Sequence, residues 1–220
     1  MPAEGPVRDG GKARFHLIET LRFEPIDGLV RKDLHLARLA RSAQALGFAF
    51  SPDEIEAALS AELRDAVAPK RVRVGLEADG SFTIEAKPFV PLADGTVWKL
   101  RIASTRLSSS DELLRHKTSL RSAYEAARAE FAADEADEVL LLNEKGEVCE
   151  GTITSVFVEL NDGRLGTPPL ACGLLQGVMR EELLQEGRAV EQVLRADDLR
   201  HRKLFVGNSL RGLIEARLVG

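Results

Sequence analysis

A few short segments of this chain gather the residue types that could do chemistry together. His35-Leu36-Ala37-Arg38-Leu39 combines an imidazole with a guanidinium, and His116-Lys117-Thr118-Ser119-Leu120-Arg121 sets an amine among cations. Cys149-Glu150-Gly151 leads into Thr154-Ser155-Val156-Phe157. Gly173-Leu174-Leu175-Gln176-Gly177-Val178-Met179-Arg180 is a glycine-marked turn opening a helix, with Gly207-Asn208-Ser209 downstream. These types offer an amine nucleophile, a carboxylate and a helix start able to seat an anion. Taken singly, each has a plainer reading: Lys117 as a solvated lysine between Arg115 and Arg121, Glu150 as an exposed acid at a strand end. Cys149 has no neighbour designed to lower its pKa and reads as a buried structural thiol. There is no G-x-S-x-G, H-E-x-x-H, G-x-x-x-x-G-K-[ST] or G-x-G-x-x-G, and the four histidines lack metal-ligand spacing, so no metal site is expected.

The elements that must position these residues can be read from periodicity. His16–Phe23 reads as a strand, with Asp27-Gly28 a hairpin turn. A helix follows from Lys32, with Asp33 as its cap and Gly47 as its stop. Ser51, Pro52 and Glu54 form a capping-box start for a second helix, running to about Val67. Residues 71–86 form a hairpin across Asp79-Gly80, Val72, Val74 and Leu76 alternating with polar neighbours. Trp98–Ala103 is a further strand. Ser108–Asp111 reads as a linker, which places a domain boundary near residue 105. Beyond it come a helix over Tyr124–Ala132, strands over Glu138–Asn143, Val148–Glu150 and Thr154–Leu160, helices over Gly177–Glu186 and Ala196–Arg200, and strands over Leu204–Val206 and Gly212–Leu218.

Composition narrows the class. The chain has 220 residues with 30 basic and 35 acidic side chains, a net charge of −5 that does not suit a phosphate-backbone binder. Its two cysteines make neither a zinc ribbon nor a disulfide scaffold. Apolar runs such as Val139–Leu142 are too short to span a bilayer. Met1–Arg14 is polar and glycine-rich, expected as a disordered leader rather than a signal peptide. A soluble, cytoplasmic protein is expected, with neither nucleic-acid nor membrane partners.

At the segments quoted above the chain resembles the class IV aminotransferase family, the fold-type IV enzymes that use pyridoxal 5′-phosphate (PLP), over about residues 15–219. The order and spacing of the motifs carry this resemblance. It implies an α/β (α+β) fold with a small N-terminal α/β subdomain, 15–104, a larger barrel-like C-terminal subdomain, 105–220, and PLP between them. Lys117 matches the Schiff-base lysine, which needs a site that keeps its amine free. Glu150 matches the carboxylate facing the pyridine nitrogen. Gly177, Val178 and Met179 match the turn that holds the cofactor phosphate, although many relatives carry a hydroxyl where Met179 stands. Arg38 and Ser209 match further phosphate-side groups, and Leu175 the apolar residue on the ring face. Tyr124, the single tyrosine, reads equally as a site residue or a core aromatic.

The resemblance implies either of two reactions on a small amino substrate. Ile18-Glu19-Thr20-Leu21-Arg22-Phe23 and Lys117-Thr118-Ser119-Leu120-Arg121 look like lyase-type members, which convert 4-amino-4-deoxychorismate to pyruvate and 4-aminobenzoate for folate synthesis. The alternative is an amino-acid transaminase of branched-chain or D-amino-acid type, and a more distant one is PLP binding without turnover. Arg22, Arg106 and Arg121 are expected partners for substrate carboxylates. Family members are usually homodimers, so a homodimer is expected here. The chain enters the resemblance at Phe15 and is expected to lack the strands that precede this point in many relatives and wall part of their pocket.

Overall fold

The computed structural model describes residues 15–220; the expected leader over 1–14 lies outside the described residues. The first sheet comprises β1 (Leu17–Glu24), β2 (Gly28–Leu29), β3 (Lys70–Leu76) and β4 (Phe82–Pro88), antiparallel throughout in the order β2-β1-β3-β4. Helices α1 (Lys32–Leu46) and α2 (Pro52–Leu63) cover one face. Side chains alternate across a strand, so Leu17 and Leu21 of β1 join Val72, Val74 and Leu76 of β3 in a core with Leu39, Ala43, Ile55 and Leu59. The opposite face presents Ile18, Thr20, Arg71 and Arg73 to a cavity.

Both helix starts differ in detail from expectation. The cap of α1 is Arg31 in the left-handed region (φ 57°), with Asp33 inside the first turn. Arg31 is held there because its guanidinium reaches Glu182 at 2.6 Å. Ser51 does cap α2 with Pro52 at the first helical position, but its side chain makes no cap bond, so the expected box does not close. The helix stops at Leu63 rather than near Val67.

The second sheet holds β5 (Val97–Leu107), β6 (Glu138–Asn143), β7 (Val148–Gly151), β8 (Ser155–Glu159), β9 (Leu165–Thr167), β10 (Ala189–Glu191), β11 (Leu204–Asn208) and β12 (Gly212–Leu218). Their order is β10-β9-β8-β11-β12-β5-β6-β7, and the mixed sheet curls into a half-barrel. β5 lies parallel to both β12 and β6, which explains why β6 is buried along its whole length. Helices α3 (Ser122–Ala129), α4 (Val178–Gln185) and α5 (Ala196–His201) complete the layer.

The passage between the sheets falls over 89–96, earlier than the boundary placed at residue 105, which lies inside β5. A register shift between Ile102 and Arg106 breaks the alternation of β5 and hides its second half in the sequence. Ser108–Asp111 is the turn that follows. Leu100, fully buried in the core of this sheet, is the point at which to test it. Leu100→Ala is expected to cost about 3 kcal/mol, read as a lowered denaturant midpoint with an unchanged m-value.

Candidate active site

The segment around Lys117 pairs with a free edge of β1. Ile18 N–H donates to Lys117 O at 2.8 Å, and Ser119 N–H donates to His16 O at 2.9 Å. A bridge joins Leu17 to Thr118. These bonds pin Lys117 at the seam between the sheets, half-buried in a cavity of about 570 Å³. Burial and the neighbouring Arg38 hold its amine down at about 8, against the opposing pull of Glu19 and Glu150. About a tenth of such an amine is uncharged at pH 7, far more than of an ordinary lysine, as a nucleophile or base requires.

Glu150, on β7, is buried in the wall of the same cavity. Its Oε1 accepts from Tyr124 Oη at 2.7 Å and from Leu175 N–H at 3.0 Å. Burial pushes its carboxyl up to about 7, while these two bonds oppose the rise. Tyr124 is therefore part of the site, and burial together with Glu150 drives its phenol far above its ordinary range. Cys149 faces away: its Sγ lies 3.2 Å from Cys172 O, and burial raises its thiol.

On another side of the cavity Glu19, buried to 2%, accepts from Arg38 Nε at 2.8 Å and Nη2 at 2.6 Å. Its Oε2 also faces His35 Nδ1 at 2.6 Å, and His35 Nε2 faces Ser209 Oγ at 2.8 Å. A carboxylate only accepts, so Nδ1 carries the proton. Burial lowers the pKa of His35 and favours the neutral ring, leaving Nε2 to accept from the Ser209 hydroxyl. Burial alone would raise Glu19; Arg38 and His35 overcome it and hold the carboxyl at about 2. Arg38 Nη1 donates to Gln176 O at 3.0 Å, one residue before the Gly177 cap of α4. The first N–H groups of α4, on Val178 and Met179, open the helix beside the cavity without an intrahelical acceptor. A Cβ on Gly177 would sit 2.5 Å from Ser155 Oγ, so any larger residue here would force that hydroxyl to turn away. The Met179 side chain packs with Phe157, Leu183 and Ala189.

Lys117, Glu150, Arg38, Leu175, Gly177, Val178, Met179, Ser209 and Arg121 are thus brought to one cavity. Arg22 and Arg106 are not. Arg22 pairs with Glu24 and stacks over Phe89 at 5.4 Å. Arg106 folds back on the carbonyls of Ala103, Ser104 and Thr105 within its own strand irregularity. The cations that do reach the cavity beside Arg121 are Arg71, Arg73 and Arg211, which sequence reasoning missed. The alternation Arg71-Val72-Arg73-Val74 held the signal, but polar positions of an alternating strand read as solvent-facing.

The family model for class IV amino-transferases matches residues 16–219. The chain belongs to the class IV aminotransferase family. Its cofactor is accordingly PLP. Among relatives, a Schizosaccharomyces pombe protein provisionally named aminodeoxychorismate lyase is 30% identical over 194 residues, 84% of this chain and 82% of that protein. A Thermotoga maritima protein provisionally named branched-chain-amino-acid aminotransferase is 30% identical over 166 residues, 71% of this chain and 58% of that protein. The crystal structure of a provisionally named amino-acid aminotransferase from Mesorhizobium loti matches with a TM-score of 0.90 and 55% identity, over 93% of this chain and 100% of that one. The α/β architecture expected from the family resemblance is therefore the architecture found. No helix among the described residues is long and apolar enough to cross a membrane.

The Glu19 cluster has a measurable pH signature. A carboxyl depressed in the folded state contributes stability above its unfolded value near 4.5, and loses it as pH falls toward about 2. Glu19→Gln is expected to cost about 3 kcal/mol at pH 7 because it leaves the Arg38 cation buried without a counter-charge. The deficit should shrink between pH 4.5 and 2 in denaturant titrations.

Proposed function

We propose that this chain is a PLP-dependent lyase that converts 4-amino-4-deoxychorismate to pyruvate and 4-aminobenzoate, a step of folate synthesis. The observation that carries the lyase reading is the cationic wall of the cavity. Arg71, Arg73, Arg121 and Arg211 face the space around Lys117, and the Arg71 and Arg73 side chains make no close ion pair among the described residues, although both lie near enough to Glu85 to lower its carboxyl. Such a wall suits a substrate with two carboxylates. The Schizosaccharomyces pombe relative supports the same reading.

The donor set fits the cofactor. A phosphate monoester would be met by the spare N–H groups of Arg38 and the N–H groups of Val178 and Met179 at the start of α4 beside Gly177, with Ser209, whose hydroxyl hydrogen goes to His35 Nε2, lining the same side of the cavity. Glu150, supported by Tyr124 and the Leu175 N–H, would meet a protonated pyridine nitrogen, and the Leu175 side chain would supply an apolar contact to the ring. That cation would favour the charged carboxylate over the neutral form that burial promotes. When bound, PLP supplies an electron sink for the charge left at the substrate Cα. Lys117 would anchor the cofactor, and its freed Nζ would take the Cα proton. The arginines would hold the carboxylates so that the enolpyruvyl group is oriented to leave, with aromatisation of the substrate ring driving the departure.

A second reading, amino-acid transamination, is supported by the name of the Mesorhizobium loti structure at 55% identity. In it Lys117 Nζ would both take and give back a proton, and no leaving group would depart. In either case we infer a cytoplasmic homodimer. Leu113, Leu120 and Ile153 support the partner copy, being apolar, 38–47% exposed and set around the cavity.

Two measurements test this reading. The purified protein should take up PLP with a visible absorbance band that borohydride abolishes, leaving a pyridoxyl group on Lys117. Uptake should quicken as pH rises through about 8, where the amine becomes neutral, and Lys117→Ala should show neither band nor adduct. Incubated with aminodeoxychorismate, the holoenzyme should release pyruvate and 4-aminobenzoate in equal amounts. Arg73→Ala should raise KM for that substrate about tenfold or more. Amino transfer to 2-oxoglutarate without those products would instead establish the transaminase.

A further inference from the structure

Glu138 is a charged side chain at the start of β6 with 1% exposure, and none of the chemistry above uses it. Its Oε1 accepts from Val139 N–H at 2.9 Å, Thr152 N–H at 3.0 Å and Thr152 Oγ1 at 2.6 Å. Its Oε2 accepts from Ile153 N–H at 3.0 Å and Thr154 Oγ1 at 2.9 Å. All but the first of these donors belong to the turn between β7 and β8. A Cβ on Gly151 would lie 2.8 Å from Oε2, so the turn closes tightly over the carboxylate.

That turn touches both sides of the cavity. Thr152 O accepts from Arg121 Nη2 at 2.6 Å, and the Arg121 guanidinium lies 5.0 Å from the centre of the Tyr124 ring. Tyr124 in turn donates to Glu150. Ile153 O accepts from Asn208 Nδ2 at 3.1 Å, next to Ser209 and its bond to His35. Glu150 itself leads into the turn through Gly151.

We propose that Glu138 is a positioning residue for the reaction: by gripping the Thr152–Thr154 turn it fixes Arg121, and through Arg121 the Tyr124–Glu150 pair. Backbone N–H groups can only donate, so a glutamine at this position leaves its NH2 facing at least one of them. The turn then loosens without loss of side-chain volume, and Arg121 and Tyr124 lose their fixed placement. The role does not depend on whether the enzyme eliminates or transaminates; it requires only that Glu150 belong to the site.

Tyr124 is the only tyrosine of the chain and therefore a specific reporter. In cofactor-free wild-type protein its phenol should resist ionisation well beyond its ordinary value of 10.0, followed by ultraviolet absorbance while circular dichroism confirms the fold. Folded Glu138→Gln should show this titration moved down toward the ordinary value, because release from burial and from Glu150 outweighs the loss of the Arg121 cation, which alone would move it up. In the holoenzyme, Glu138→Gln should raise KM, because Arg121 loosens, and should lower kcat, the quantity compared in the double variant, about tenfold or more. In a Tyr124→Phe background the same substitution should cost less than about threefold, because the two act in series. If Glu138→Gln does not fold, Thr154→Val, which removes a single donor, should give a smaller downward movement of the titration. An unmoved tyrosine titration in the folded variant, or additive losses in the double variant, would overturn the proposal. The absorbance arm needs neither cofactor nor substrate, so it can fail or succeed independently of the proposed reaction.

Discussion

Glu19 has to satisfy a guanidinium and an imidazole at once, in a place that water does not reach. Stripping a carboxylate and a guanidinium of water costs several kcal/mol per ion, and only well-made hydrogen bonds offset that cost. Here the bonds come from both Arg38 and His35 on α1, while Glu19 itself is on β1. The same two side chains then reach loops of the second layer, Arg38 to Gln176 O before α4 and His35 to Ser209 in the turn after β11. Surface ion pairs from α1 to α4, Arg31 with Glu182 and Arg41 with Glu181, run alongside. An assembly in which the two layers were shifted would keep the Glu19–Arg38 pair but lose the bonds from Arg38 to Gln176 O and from His35 to Ser209, leaving those buried polar groups unpaired. The cluster therefore sets the relative placement of the two sheets more than it adds net stability, and the seam it sets is where the cavity opens.

Lys117 and Glu150 show what that seam does to ionisable groups. The same burial lowers the amine to about 8 and raises the carboxyl to about 7, moving both toward neutrality. Groups pushed from opposite ends toward the working pH are suited to proton transfer and to contact with a charged ring. Arg38 adds to the effect on Lys117, so the cation balanced by Glu19 on one side also keeps the amine free on the other. Tyr124 prevents the opposite extreme at Glu150 by donating to Oε1, and Leu175 N–H donates to the same atom.

Much of this was legible in the chain. The periodic runs and Asp-Gly turns located most strands, and the family resemblance carried by the order of the motifs pointed to Arg38, Lys117, Glu150 and Gly177, which line one cavity. What sequence could not show was direction. Arg22 and Arg106 have the right side chain, but local partners draw them away. Arg71 and Arg73 look solvated because their face of β3 opens on a cavity closed only by the second sheet. β9 and β10, of three residues each, are too short for periodicity to register. The continuation of β5 past Ala103 was masked by its irregular register. Glu19 and Glu138 were missed as functional because a single acid in a strand carries no pattern; their importance lies in partners brought together from far along the chain.

Met179 shows how one departure from the usual pattern can be absorbed. Its side chain turns into the core cluster with Phe157 and Leu183. A Cβ at position 207 would come within 2.4 Å of the Met179 Cε and 2.7 Å of Gly212 O, so Gly207 is what makes room for the methionine. The thioether thus contributes packing, and position 179 offers the cavity only its N–H. An anion seated at the start of α4 would be held by backbone dipoles and by Arg38, whose geometry is fixed by Glu19. A hydroxyl at 179 would add a donor but remove the side chain that fills the core beside Gly207. The seat is therefore tied to the same buried carboxylate that joins the sheets, and the strength of anion binding here depends on packing as much as on charge.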